Sequence, residues 1–232
     1  MNIKRFVPVA ILIAGLGIAI YFDVHKLLSF EAIGQNYGQI KNYINEQYIL
    51  SLLLFALTYV AVVAFSIPGA TVLSLLYGAL LGTFVSGTLV VISATIGATL
   101  IFLAARYALQ DILKDRAGPW LNKMRDGFND SAVSYMLFLR LVPVFPFFAV
   151  NLVPAFTGVS LRIFIITTFF GIMPGTFVFA SIGNGIDYII EQGGTPDLAI
   201  LITPEILFPL AGLGMLSLIP IAYKKLKRQK VS

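Results

Sequence analysis

The chain has 232 residues, 58% of them hydrophobic and only 12% charged, with a net charge of +5 and no cysteine. The charged share is about half that of soluble proteins, and the mean hydropathy is +0.91. These values exclude an ordinary soluble globule, a disulfide scaffold, a thiolate metal site and a cysteine nucleophile. They predict a polytopic membrane protein.

The first apolar run, Phe6–Phe22, follows Lys4 and Arg5 and is succeeded by Asp23-Val24-His25-Lys26 with no small-residue cleavage site. It reads as an uncleaved anchor that crosses the bilayer. Next, Phe30, Ile33, Tyr37, Ile40, Ile44 and Tyr48 fall on one helical stripe, with Glu31, Gln35, Gln39 and Lys41 off it. This pattern predicts an interfacial helix on the outer face. The segment Ile49–Gly82 is apolar but interrupted by Ser66-Ile67-Pro68-Gly69. Thr83–Tyr107 is an unbroken span, in which the pairs Ser93/Gly97 and Ala94/Ala98 would let another helix approach closely. A second amphipathic stripe, Leu109, Ile112, Leu113, Trp120, Leu121, Met124 and Phe128, is interrupted at Gly118-Pro119.

Ser134–Gly158 is again apolar and again broken, by Pro143, Pro146 and Pro154, each of which removes a backbone donor. In lipid, a freed carbonyl survives only where protein or a wet cavity covers it. The span Ser160–Ile186 contains Gly171, Pro174 and Gly175, which suggest a kink packed around the neighbouring broken segment. The last span, Glu205–Tyr223, precedes the basic tail Lys224, Lys225, Lys227, Arg228 and Lys230.

The two broken segments define a repeat. Each reads as apolar arm, proline break, apolar arm, glycine (Gly82 or Gly158), then full span. The physical model is a re-entrant hairpin followed by a crossing helix, used twice, with arms of about half-membrane length. Basic residues mark cytoplasmic loops. They concentrate at the N-terminus, between Arg106 and Asp130, and in the tail, whereas the stretch from Asp187 to Pro204 has none. Every loop obeys the rule if 49–82 enters from outside and 134–158 from inside. The expected fold class is therefore all-α: four crossing helices (6–22, 83–107, 160–186, 205–223) plus two opposed re-entrant hairpins forming an inverted repeat, a transporter design. The expected division is 1–48 (anchor and interfacial helix), 49–186 (membrane domain of two repeats) and 187–232 (outer loop, last helix, basic tail). Both termini are then cytoplasmic.

Candidate site residues cluster in the second repeat. Arg140 and Arg162 stand inside apolar segments, where an arginine at bilayer centre costs about 2.5–3.5 kcal/mol on insertion scales. A guanidinium offers a fork of donors that fits phosphate oxygens; the bland alternative is snorkelling to the headgroups, which suits Arg162 near its helix start. Asn151 could contact a ligand or bond the carbonyls freed by Pro146 or Pro154. The breaks themselves are Pro68, Gly69, Pro143, Pro146 and Pro154. His25, the one histidine, lies in an outer loop, and no catalytic triad, metal cluster, phosphate loop or dinucleotide fingerprint is present, so no catalytic residue, metal or cofactor is expected.

The stretch FLRLVPVFPFFAVNLVPAFTGVSLRIFIITTFFGIMPGTFVFASIGN, with the preceding FSIPGATVLSLLYGALLG and Phe102-x-x-x-Arg106, resembles the DedA family, also called SNARE-associated Golgi or VTT-domain proteins. It is most similar to the Golgi-SNARE-associated branch that also occurs in bacteria. The resemblance implies two opposed hairpins, a bacterial plasma-membrane location and movement of phospholipid or polyprenyl-phosphate lipid between leaflets. Arg140 and Arg162 match the family's basic positions; Pro143, Pro146 and Asn151 match its second hairpin. Proton-coupled relatives carry acids in the first hairpin, and residues 49–82 contain none. The expected partners are membrane lipids bearing anionic phosphate, with no nucleic acid, and a homo-oligomer is left open. Competing readings are an ion- or proton-coupled transporter of a small solute and a non-transporting assembly factor.

Overall fold

Apolar sequence that leaves no water for the backbone must satisfy its N–H and C=O groups locally, and helices do so. All regular structure among the described residues is helical. A computed structural model describes residues 7–21, 36–116, 131–142, 145 and 147–191. In chain order the elements are α1 (Val7–Tyr21), α2 (Tyr37–Glu46), α3 (Tyr48–Ala64), α4 (Ala70–Leu81), α5 (Thr83–Arg116), α6 (Ser131–Leu141), α7 (Phe147–Phe156) and α8 (Leu161–Glu191). The expected span 205–223, the basic tail, the break residues Pro143 and Pro146, and the second stripe beyond residue 116 lie outside the described residues.

Among the described residues, two helices are long and apolar enough to cross a membrane: Thr83–Ala108 within α5 and Leu161–Gly185 within α8, of 26 and 25 residues. Each rises about 38 Å, more than the hydrocarbon core of about 30 Å. They coincide with the expected spans 83–107 and 160–186. α1 is apolar throughout but has 15 residues, about 22 Å of rise. A third span arises only if α2 and α3 are joined, and these two are bent by 119°.

The first break is where it was expected. α3 ends at Ala64 and α4 starts at Ala70, with Ser66 at φ 53° and Gly69 at φ 120° between them. The Gly69 conformation is one that side-chain-bearing residues rarely adopt. α4, with 12 residues, is the half-membrane arm foreseen; α3, with 17, is longer. In the second broken segment α6 and α7 flank residues 142–146. Pro154 is a correction: it lies inside α7 and not at a break. Two residues further on the helix ends at Phe156, Thr157 Oγ1 donates to the Pro154 carbonyl at 3.2 Å, and Gly158 (φ 83°) turns the chain.

The two expected repeat units pack into one another. α4 of the first unit packs on α8 of the second, and α7 of the second packs on α5 of the first; α5 also packs on α3 and α8. The approach of α4 to α8 is close enough that a Cβ at Gly183 would collide with the backbone carbonyl of Leu75. The core they enclose includes Tyr59, Val63, Leu73, Tyr77, Val90, Ala98, Phe102, Met136 and Phe164.

α2 differs from its expectation. Its Tyr37 and Ile44 are buried against Ala79 and Leu80 at the end of α4, with Ile40 alongside. Lys41 pairs with Asp187 of α8 at 2.9 Å, and the Tyr37 hydroxyl reaches both the Ala79 carbonyl (3.0 Å) and the Asp187 carboxylate. The apolar stripe was assigned to lipid, but a helical stripe buries equally well against protein, and periodicity does not distinguish the two.

Candidate functional site

A guanidinium among apolar helices is tolerated only if its donors find acceptors. Near the end of α6, Arg140 Nη1 donates to Asn151 Oδ1 of α7 at 2.7 Å, and Nη2 donates to Thr168 Oγ1 of α8 at 2.9 Å. The guanidinium carbon also stands 5.2 Å from the centroid of the Phe164 ring, in cation–π range. Gly171 makes room for the arginine stem, because a Cβ there would lie 2.7 Å from Arg140 Cβ. Packing of Gly171 against the broken segment was expected; its partner is this arginine.

Two donors in this cluster are left over. Arg140 Nε and Asn151 Nδ2 are sealed from solvent and have no hydrogen-bond partner among the described residues, and Asn151 is 0% exposed. A buried donor left unpaired costs about 1–3 kcal/mol. Asn151 was expected to contact a ligand or to bond carbonyls freed by proline. Instead its oxygen holds Arg140 and its amide nitrogen is idle.

Arg140 lines a cavity of about 180 Å³ enclosed by both repeats. The first hairpin contributes Tyr59, Thr71 and Ser74, α5 contributes Ala94 and Ala98, and α8 contributes Thr168, Gly175 and Thr176. Among the described residues, no acid lines it. The Tyr59 and Ser74 hydroxyls lie 2.9 Å apart and both reach the Ala70 carbonyl, at 3.2 and 3.0 Å. The space corresponds to about six waters at liquid density, the scale of a headgroup and not of a whole lipid.

Of the expected site residues, the fold brings Arg140 and Asn151 together and leaves Arg162 apart, exposed in the first turn of α8. Pro68 and Gly69 shape the turn of the first hairpin without lining the cavity. Tyr59, Ser74 and Thr168 are site residues that the sequence reading missed. The available signal was their hydroxyls in otherwise apolar arms, since polar groups inside membrane segments face protein or cavity.

This fused geometry coincides with a known domain. The model of the VTT domain matches residues 67–185, more than half of the chain. The chain belongs to the VTT domain family. Its relatives include the Transmembrane protein 41 homolog of Dictyostelium discoideum, 33% identical over 192 residues, which is 81% of this chain and 56% of the relative. Transmembrane protein 41B of Gallus gallus is 28% identical over 187 residues, 79% of this chain and 67% of its own. The Homo sapiens protein of that name is 27% identical over 187 residues, covering 62% of its length. The match thus spans little more than half of the first of these relatives and about two thirds of the others. No solved structure matches the chain. The VTT domain contains Arg140, Asn151 and Thr168, whereas Tyr59 comes from α3, ahead of it.

Proposed function

We propose that this VTT-domain membrane protein moves phosphate-bearing lipid between leaflets without chemical conversion, with Arg140 receiving the headgroup. The observation that carries the reading is the Arg140–Asn151 pair. It sets a guanidinium against a headgroup-sized cavity that no carboxylate lines among the described residues, and leaves two buried donors of the pair unbonded behind it. An anion entering the cavity satisfies the arginine while the acyl chains stay in the bilayer. Phospholipid and polyprenyl phosphate both carry the required group.

The repeats act as an inverted pair, with the first hairpin entering from outside and the second from the cytoplasm. The exchange of second arms between units (α4 on α8, α7 on α5) supports this arrangement. Four crossings then place both termini in the cytoplasm of a bacterial plasma membrane. The chain has no native cysteine, so single cysteines report orientation without background. Cysteines at Lys114 and Lys123 should be shielded from an impermeant outside reagent and one at Gly194 should react; the reverse pattern would overturn the topology.

The transport reading is tested by reconstituting the purified protein in liposomes with fluorescent phospholipid or polyprenyl phosphate and following bleaching by an impermeant quencher. Bleaching of the inner-leaflet pool, faster than in protein-free liposomes, is expected for at least one of the two lipids. No acceleration for either would refute it.

A further inference from the structure

The cavity is not the end of the arginine chemistry in this fold. Phe102 of α5 and Phe164 of α8 are both 0% exposed, and their rings stack at 4.2 Å between centroids with a 26° tilt. Each ring also carries a guanidinium: Arg140 stands 5.2 Å from the Phe164 centroid, and Arg106 stands 5.2 Å from the Phe102 centroid. One face of each ring is occupied by the other ring, so the arginines occupy the outer faces. The order is arginine, ring, ring, arginine, built from α5, α8 and α6. No carboxylate is paired with either arginine among the described residues.

The two ends of this column differ. Arg140 faces the cavity and is held by Asn151 and Thr168. Arg106 is half-buried, lies two positions before the apolar span ends at Ala108, and is not among the residues that line the cavity. The stacked rings therefore separate a cation at the end of the span from a cation at the cavity. A ring face tolerates a cation at low cost but gives an anion nothing. The direct line from Arg106 to Arg140 runs through the two stacked rings.

We propose that Phe102 and Phe164 form a closed aromatic gate and that Arg106 is a second anion-binding residue, collecting the phosphate group outside the gate that Arg140 receives inside it. The ligand chemistry is a phosphate anion, from a lipid headgroup or from free phosphate. The inference rests on the lipid-phosphate reading of Arg140. It differs in predicted chemistry as well as in place. Arg140 is locked into a fork by two partners, so lysine cannot replace it. Arg106 has no such fork, so a lysine there keeps the function.

The test uses the full-length protein with Arg106→Gln, Arg106→Lys, Arg140→Gln and Phe164→Leu, the last keeping bulk so that the core still packs. In liposomes, Arg106→Gln should slow a fluorescent anionic phospholipid several-fold and leave fluorescent glucosylceramide, which has no phosphate, at the wild-type rate. Arg106→Lys should restore most of the phospholipid rate, and Phe164→Leu should speed both lipids. A second measurement does not depend on transport: melting temperature in detergent with dihexanoyl phosphatidic acid or with inorganic phosphate. Wild type should be stabilised by one or both, Arg106→Gln less so, and Arg140→Gln least. Stabilisation by the lipid alone assigns the headgroup source; stabilisation by both assigns the phosphate group itself. If wild type moves no lipid yet shows the graded stabilisation, the transport reading fails and the second anion site stands. An Arg106→Gln protein with wild-type rates and wild-type stabilisation overturns the assignment. So does one in which glucosylceramide slows as much as phospholipid, because Arg106 would then be bracing the helix. A Phe164→Leu protein that folds normally and moves neither lipid faster removes the gate.

Discussion

The two hairpins differ in one respect that sets their work apart. The first, α3 and α4, carries no charge from Ile49 to Gly82, and its polar groups at the cavity are the hydroxyls of Tyr59, Thr71 and Ser74. The second, α6 and α7, brings a guanidinium to the same space, held from behind by the Asn151 amide oxygen. One hairpin supplies a neutral wall already bonded to its own backbone, as Tyr59 and Ser74 are to Ala70. The other supplies charge with donors to spare. The two broken segments thus share one cavity, and of these two only the second brings a charged side chain to it among the described residues.

The sharpest way to break this comparison is Arg140. Arg140→Ala removes the charge and the fork together, and lipid movement should fall to the protein-free rate. The loss of two charge-assisted hydrogen bonds, each worth about 1.5–3 kcal/mol, implies a drop of well over tenfold if they position the headgroup contact. Arg140→Lys keeps charge without the fork and should retain a fraction. If Arg140→Ala is fully stable and moves lipid normally, the second hairpin has no special role.

Next in size are the glycines on which the interlock depends. Gly183→Ala places a methyl against the Leu75 backbone and should cost about 1–3 kcal/mol, as overpacking does, read as a lower melting temperature in detergent. Gly171→Ala acts at the arginine stem instead and should slow transport more than it lowers the melting temperature. Equal effects of the two on both measurements would mean that Gly171 serves packing alone.

Tyr59→Phe and Ser74→Ala probe the neutral wall. Each should slow lipid movement a few-fold, since one neutral hydrogen bond is worth about 0.5–1.5 kcal/mol. A loss as large as that of Arg140→Ala would place the chemistry in both hairpins. The smallest effect belongs to Arg162→Gln. Its side chain is exposed and away from the cavity, so transport should stay within about twofold, the range of surface changes below about 0.5 kcal/mol. A large loss there would return Arg162 to the site.

Much of this was legible in the chain itself. Hydropathy marks α5 and α8 because a long unbroken apolar run has few ways to satisfy its backbone other than as a helix. Pro68-Gly69 marks the first turn because proline and positive-φ glycine end helices locally. Arg140 stands out because a charge is rare and costly in such a segment. Pro154 shows the limit of local rules, since the same residue type that marks a break elsewhere lies inside α7.

The sequence alone determined the two long spans, the first break and two candidate arginines, Arg140 and Arg162. The tertiary structure decided which faces meet: α4 on α8, α7 on α5, the α2 stripe on Ala79 and Leu80, Tyr59 and Ser74 beside Thr168, and Phe102 on Phe164. The reason is physical. In a soluble helix the polar face shows which side is buried, but helices apolar on every side carry no such mark, so the choice of partner rests on close shape fit and on small residues such as Gly171 and Gly183. That fit exists only once the distant segments have come together.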